Sequence, residues 1–148
     1  MSNTKKIVIC ASANFYKHVN EIADALRGRG FEVIVPQTAE KMRKSGNYDV
    51  AAVKTWYENP KDFTKKRQLM DRHFEEVANG DAILVVNDEK HDIPGYIGPN
   101  ALMEMAVAYY LKKPIFILNK VDKHANIYEE VVGMGGVVID GQLEELKL

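Results

Sequence analysis

The sequence lacks most of the features that would take it out of the class of ordinary globular proteins. It has a single cysteine, Cys10, in 148 residues, so no internal disulfide can form, and it has no Cys/His cluster with zinc spacing. No apolar run comes near the roughly 18 residues of a membrane span, and the run at 7–11 is too short for a signal peptide. These absences predict a cytoplasmic protein without a metal and without a membrane partner.

An excess of charge of one sign is also missing. Lys and Arg together number 20, Asp and Glu together number 21, and the net charge is −1. Such a chain has no global electrostatic field that would attract a polyanion. We therefore expect no nucleic-acid partner.

Short apolar segments alternate with segments of helical spacing along the whole chain. The segments that predict buried β-strands are 6–11, 31–35, 81–87, 115–118 and 137–139. Short connections between alternating strands and helices favour a parallel sheet with right-handed crossovers. The predicted fold is a single α/β domain over 1–148, a flavodoxin-like or Rossmann-like three-layer sandwich. Its sheet has five parallel strands in the order 2-1-3-4-5.

Apolar residues at helical spacing predict four helices and leave one irregular segment. The helices cover 16–27, 61–78, 99–111 and 127–132, with a last helical turn within 143–148. Residues 37–60 break the pattern with Gly46, Asn47, Asn59 and Pro60, and offer only a short helix at 49–57. A segment of this kind is either a lid over a binding site or a surface insertion.

The predicted strand order places a ligand site between the first and third strands. In open α/β sheets, ligands bind beyond the carboxyl ends of the strands, where the strand order reverses. This rule selects two loops, 11–16 and 87–100.

Several motifs of nucleotide and cofactor sites are incomplete in this chain. The run Asn119-Lys120-Val121-Asp122 imitates the guanine-reading element of GTPases, but no GxxxxGK[ST] phosphate loop precedes it. No GxGxxG follows the first strand, and the acidic pair of a response-regulator receiver is replaced by Cys10, Ala11 and Ser12. Ser12 alone is too little for a flavin phosphate loop. The sequence therefore implies no cofactor.

Glu104 is the most informative residue, because it is the only charged side chain between residues 101 and 111. A helix that is hydrophobic nearly all round predicts two buried faces, one on the sheet and one on a partner subunit of a homo-oligomer. A carboxylate in such a helix is costly unless it is paired, hydrogen-bonded or functional, and its pKa is tuned by burial. The alternative is a glutamate on a solvated stripe of the helix.

Several segments together resemble the nucleoside 2-deoxyribosyltransferase superfamily, which includes the nucleoside 5′-monophosphate N-glycosidases. The matching pieces are Asp81-Ala82-Ile83-Leu84-Val85-Val86, Gly95-Tyr96-Ile97-Gly98, Glu104-Met105-Ala106-Val107-Ala108 and Lys113-Pro114-Ile115. The chain is also similar to small uncharacterised prokaryotic proteins with a YIG-x-N-x-x-x-E segment, here residues 96–104. The resemblance covers residues 6–118.

The resemblance implies a retaining reaction at the anomeric carbon of a (deoxy)nucleoside or nucleoside 5′-monophosphate. Glu104 matches the nucleophile, which would attack C1′ and form a covalent glycosyl-enzyme. A second carboxylate must handle the proton of the departing base: Asp71 is the best match, and Asp88 at the end of the third strand competes with it. Another base as acceptor gives transfer, and water gives hydrolysis.

The resemblance also places substrate contacts in the two loops. The implied substrate-binding residues are Ser12, Asn14, Phe15, Tyr16, Asn87, Tyr96, Gly98 and Asn100. The arginine that phosphate-cleaving relatives carry after the first strand is absent, with Lys17 and His18 as replacements. For each contact a structural role is the alternative, such as packing of the aromatic pair at a helix start.

Other residues are assigned less specific roles. His73 and His124 are interpreted as surface or packing residues, and Trp56 and Tyr57 as a hydrophobic anchor rather than a cover over a base. The alternative to an enzyme is a nucleotide-binding sensor of the same fold without turnover. A third hypothesis is a structural role in an oligomer.

Overall fold

Within residues 3–148, which the computed structural model describes, one sheet of five parallel strands forms the centre of the protein. The strands are β1 (Lys6–Ala11), β2 (Glu32–Ile34), β3 (Ala82–Val86), β4 (Ile115–Ile117) and β5 (Val137–Val138). Their order across the sheet is β2-β1-β3-β4-β5, and every neighbouring pair is parallel. The predicted flavodoxin-like fold and strand order are confirmed.

Helices connect the strands on both faces of the sheet. They are α1 (Tyr16–Gly28), α2 (Gln37–Ser45), α3 (Val50–Val53), α4 (Phe63–Asn79), α5 (Pro99–Tyr110) and α6 (Tyr128–Gly133). Turns of 3₁₀ helix occur at Ala13–Phe15, Thr55–Tyr57, Pro60–Asp62 and Leu143–Glu145. Four of the α-helices match predicted helices, and the last of the 3₁₀ turns lies where a final helical turn was expected. None of the helices among residues 3–148 is long and apolar enough to cross a membrane.

Alternation along β1 divides the core into two layers. Ile7 and Ile9 belong to the cluster that packs α1 against the sheet, whereas Val8 and Cys10 belong to the cluster that packs α4 and α5 against the other face. The three-layer sandwich follows from this alternation. The alternation also places Cys10 on the side of the sheet that α4 and α5 cover.

The prediction that residues 37–60 are largely irregular is wrong for α2. Only Ala39 and Met42 of this helix are buried, so its apolar pattern is too sparse to read from sequence. Polar contacts to α1 hold the helix: the Asn20 amide donates to the Ala39 carbonyl at 3.0 Å, and Arg43 bonds Asp24 at 2.7 Å. The connection between β2 and α4 is therefore mostly ordered structure packed on the domain.

The loop after β3 is fixed to the loop after β4 by paired asparagines. The Asn87 amide donates to the Asn119 carbonyl at 2.7 Å, and the Asn119 backbone N–H donates to Asn87 Oδ1 at 2.8 Å. Gly95 has φ +66°, and a Cβ there would lie 2.0 Å from the Lys120 carbonyl oxygen. This frame holds the segment that leads into α5.

Candidate functional site

A cavity of about 320 Å³ lies beyond the carboxyl end of β1, against the first turns of α5. Its walls come from the loop after β1, the start of α2, the turn around Trp56, one face of α4 and the loop after β3. This is the position at which an open parallel sheet of this strand order binds its ligands.

Six of the predicted site residues line this cavity. They are Ser12, Tyr16, Tyr96, Gly98, Asn100 and Glu104. They come from the two loops that the strand order selected, and from the helix that follows the second of them. Burial and the negative charge of Glu104 raise the pKa of the Tyr16 hydroxyl, which therefore stays protonated as a hydrogen-bond donor.

Three predicted contact residues lie outside the cavity lining. Asn14 is exposed to solvent, and Phe15 is buried with its ring packed edge-on against Tyr96 at 6.5 Å between centroids. Asn87 is fully buried, and its side chain bonds to the backbone of Gly95 and Asn119. The sequence slightly favours a substrate contact for Asn87, but these hydrogen bonds give its side chain a structural role.

Neither aspartate expected as the second carboxylate lines the cavity. Asp71 is exposed on α4, because it points away from the α4 face that packs on the domain. Asp88 is paired with His18, with 2.7 Å between its Oδ2 and the imidazole Nδ1. The same contact occupies His18, and Lys17 is exposed, so these two residues do not replace the missing arginine in the cavity.

Glu104 itself is buried, with 7% of the residue exposed, in the second turn of α5. Its Oε2 lies 3.9 Å from Nε2 of His73, and the Cys10 thiol lies within 4.8 Å of the carboxylate. Burial raises the pKa of Glu104 to about 7, although the charge of His73, the thiol of Cys10 and the charge of Lys66 oppose this rise. Near neutral pH both the acid and the carboxylate are therefore populated.

His73, which the sequence predicts to be a surface or packing residue, is buried and lines the cavity. Its Nε2 bonds the Ile9 carbonyl at 3.0 Å, and its Nδ1 lies 3.1 Å from Oε1 of Glu76. A carbonyl oxygen only accepts hydrogen bonds, so Nε2 must carry a proton. Burial by itself would lower the pKa of His73, but the hydrogen bond to Glu76 and the charge of Glu104 raise it overall.

Among the described residues, Cys10, His73 and Glu104 could hold a metal ion, because their ligand atoms lie within 4.8 Å of one another. Metal binding would require a thiolate and a free imidazole lone pair. Burial raises the pKa of the Cys10 thiol, and Nε2 of His73 is already a donor to a backbone carbonyl. The cluster therefore fits a site that holds protons better than one that holds a metal.

Three lysines for which the sequence predicts no site role line the cavity, and one of them belongs to the run 65–67, which the sequence predicts to be a solvated helix face. They are Lys54 in the segment before α4, Lys66 on α4 and Lys90 in the loop after β3. Burial and the charge of Lys54 lower the pKa of both Lys66 and Lys90, so the ammonium group of Lys54 acts on both of the others. Lys66 also lies 5.7 Å from the centre of the Trp56 ring. Such a cluster attracts an anion.

Comparison with known proteins gives no assignment. No protein-family model matches the chain. No curated protein matches it either. The function therefore has to be inferred from the geometry of the cavity and from the residues that line it.

Proposed function

We propose that the protein cleaves or exchanges the N-glycosidic bond of a (deoxy)nucleoside or nucleoside 5′-monophosphate through a covalent glycosyl-Glu104 intermediate. The observation that carries this proposal is the buried Glu104 carboxylate on the wall of a cavity at the carboxyl end of β1. Desolvation makes such a carboxylate a reactive nucleophile once it is ionised. The resemblance to the nucleoside 2-deoxyribosyltransferase superfamily supports the same role.

The cavity offers the groups that this chemistry needs. Ionised Glu104 attacks C1′ of the sugar while the bond from C1′ to the base nitrogen breaks, and water or a second base then attacks C1′. The rings of Tyr16 and Tyr96 line the cavity and present apolar surfaces for a base. Ser12 and Asn100 supply hydrogen bonds for a sugar.

The cationic side chains favour a phosphorylated substrate. Lys54, Lys66 and Lys90 line the cavity, and so do Asn100 and Ala101 in the first turn of α5, which has no side-chain cap. Ammonium groups bind phosphate oxygens through strong charge-assisted hydrogen bonds. We infer that the 5′-phosphate of a nucleoside monophosphate binds at these lysines.

A nucleotide-binding sensor without turnover is the second candidate. The observation in its favour is that neither Asp71 nor Asp88 lines the cavity, so the expected proton donor for the departing base is missing. A cavity with lysines and aromatic walls would still bind the nucleotide.

One experiment separates the two candidates. The protein is incubated with a panel of nucleosides and nucleoside 5′-monophosphates, and free base is measured by chromatography. Release that disappears in Glu104→Gln and persists in the matched control Glu75→Gln, an exposed glutamate on α4, supports the enzyme. A 2′-fluoro substrate that leaves a glycosyl mass on the Glu104 peptide identifies the intermediate. Binding without release supports the sensor, and release that persists in Glu104→Gln contradicts the proposed mechanism.

A further inference from the structure

We propose that Glu76 is the acid–base group of this site and that His73 is the positioning residue that holds its proton. The proposal rests on the proposed function and supplies the second carboxylate that Asp71 and Asp88 do not provide. It starts from the contact between Nδ1 of His73 and Oε1 of Glu76, 3.1 Å long, and from the 3.9 Å between Nε2 and Oε2 of Glu104. One imidazole therefore lies between two carboxylates.

Glu76 and His73 both line the cavity but differ in their exposure. The Glu76 side chain is 21% exposed, whereas only 7% of the His73 side chain is exposed. Glu76 is thus the member of the pair to which a departing base has the better access. His73 acts behind it, and its Nε2 is anchored to the Ile9 carbonyl. The anchor fixes the ring so that Nδ1 faces Glu76.

The proton count of the pair fits both steps of the reaction. In the first step a Glu104 oxygen bonds to C1′, the bond from C1′ to nitrogen breaks, and the base nitrogen takes the proton that His73 and Glu76 share. Glu104 is then a neutral ester, His73 is a neutral imidazole and Glu76 is a carboxylate. In the second step water attacks C1′, its proton returns to the pair, and Glu104 leaves as a carboxylate. Atoms and charges balance without any further reactant.

The charges around His73 change how tightly its imidazole holds a proton during the reaction. Among the described residues, the ionisable groups that interact with the imidazole or with its two carboxylate partners are Lys66, Arg72 and Glu76 on α4, Cys10 on β1, Tyr16 on α1 and Glu104 on α5. When Glu104 becomes an ester, the negative charge 3.9 Å from Nε2 disappears. His73 then holds its proton less tightly, just as the base needs one. The charge returns when the ester is hydrolysed, and the pair is protonated again.

A pair of substrates tests whether Glu76 delivers this proton. Guanosine 5′-monophosphate needs a proton on its departing base, whereas its 7-methyl derivative carries a positive base that leaves without one. We expect Glu76→Gln to slow guanine release by about 100-fold or more, the usual range for a lost general acid. We expect it to slow 7-methylguanine release by less than about fivefold, because an acid speeds only departures that need a proton. Glu75→Gln, next to it on the exposed face of α4, is the matched control and leaves both rates unchanged.

Each result of this test has a separate meaning. Equal losses on the two substrates in Glu76→Gln, with an active wild-type protein, overturn the role of Glu76 and leave Glu104 as nucleophile. A wild-type protein that cleaves neither substrate, nor any other of the panel, overturns the proposed function and the inference with it. An NMR titration of His73 provides a readout that does not depend on turnover. Its pKa is expected to fall in Glu104→Gln and in Glu76→Gln and to stay constant in Glu75→Gln. An unchanged pKa in Glu104→Gln overturns the coupling between the two residues.

Discussion

At the scale of single residues, the burial of Glu104 makes the stability of the protein depend on pH. Its folded pKa of about 7 lies above the ordinary value of 4.5, so the folded state binds this proton more tightly than the unfolded state. The resulting stability is fully present below the unfolded pKa and is lost as the pH rises through the folded pKa. At pH 8 the folded protein holds a buried carboxylate at a cost on the order of 3 kcal/mol.

Replacing Glu104 by Gln therefore should stabilise the protein only at high pH. We expect a free energy of unfolding that is higher by about 2–3 kcal/mol at pH 8 and nearly unchanged at pH 4, because the native carboxyl is neutral there. Urea unfolding at the two pH values measures the difference. Glu75→Gln, on the exposed side of α4, should change little at either pH. A gain of the same size at pH 4 and pH 8 would show that packing, not ionisation, is responsible.

Lys66 provides a second test at this scale, because it is one of the lysines proposed to bind the 5′-phosphate of the substrate. Its side chain is half-buried in the cavity wall beside Trp56, whereas the side chain of neighbouring Lys65 is 68% exposed and paired with Asp62. We expect Lys66→Gln to raise KM for a nucleoside monophosphate about tenfold, the loss of one charge-assisted hydrogen bond, and to leave KM for the nucleoside unchanged. Lys65→Gln is the control. Equal losses with both substrates would place the phosphate elsewhere.

At the scale of elements, the loop between β3 and α5 depends on Gly95. Any other residue there would have to adopt a backbone φ of +66°, and its Cβ would lie 2.0 Å from the Lys120 carbonyl oxygen. Gly46 ends α2 with φ +74° and has open space around it, so Gly46→Ala measures the backbone strain alone, about 1 kcal/mol. We expect Gly95→Ala to lower the free energy of unfolding by at least 2 kcal/mol more in urea titrations. An equal decrease in the free energy of unfolding in the two variants would mean that the loop between β3 and α5 can shift away from Lys120 without an energetic cost.

Strongly periodic elements could be predicted from the sequence, and weakly apolar ones could not. The five strands have nearly unbroken apolar runs, which is why their order in the sheet followed from general rules of α/β topology. Helix α2 buries only Ala39 and Met42 and is held by polar contacts to α1, so its pattern carries little information. Its existence depends on a tertiary contact that no local pattern contains.

Some residues of the candidate site can be recognised from the sequence, and others cannot. Glu104 is recognisable because it is the one charge in an apolar stretch of helix. On α4, by contrast, charges occur on every face, so His73 and Glu76 do not stand out. His73 is three residues from Met70 and four from Val77, which places it on the buried stripe, and Glu76 follows His73 by three residues. The sequence around Cys10 indicates only that it is a buried residue of a strand. These residues and Glu104 come together only when β1, α4 and α5 pack.

At the scale of the whole molecule, α5 presents exposed apolar side chains on its outer face. Its inner face is buried on the sheet through Ala101, Met105 and Ala108, whereas Met103 and Tyr110 are exposed on the outside. Burial of both faces, as expected from the sequence, thus requires a second subunit. Because Glu104 lies on this same helix, a partner packed on the outer face would also rigidify this wall of the cavity.

We expect a homodimer or larger homo-oligomer that depends on Tyr110, which is 83% exposed in the single chain. Aromatic side chains of this size often dominate interfaces, and losing one costs about 2 kcal/mol or more, roughly a 30-fold weaker association. We expect light scattering to find an oligomer for the wild-type protein at micromolar concentration and a shift toward monomer for Tyr110→Glu. Lys112→Gln, at an exposed position two residues beyond the end of the same helix, lowers the net charge by the same one unit without removing aromatic surface and should keep the oligomer. A wild-type monomer at micromolar concentration would contradict the prediction, and the outer face of α5 would then be ordinary exposed apolar surface.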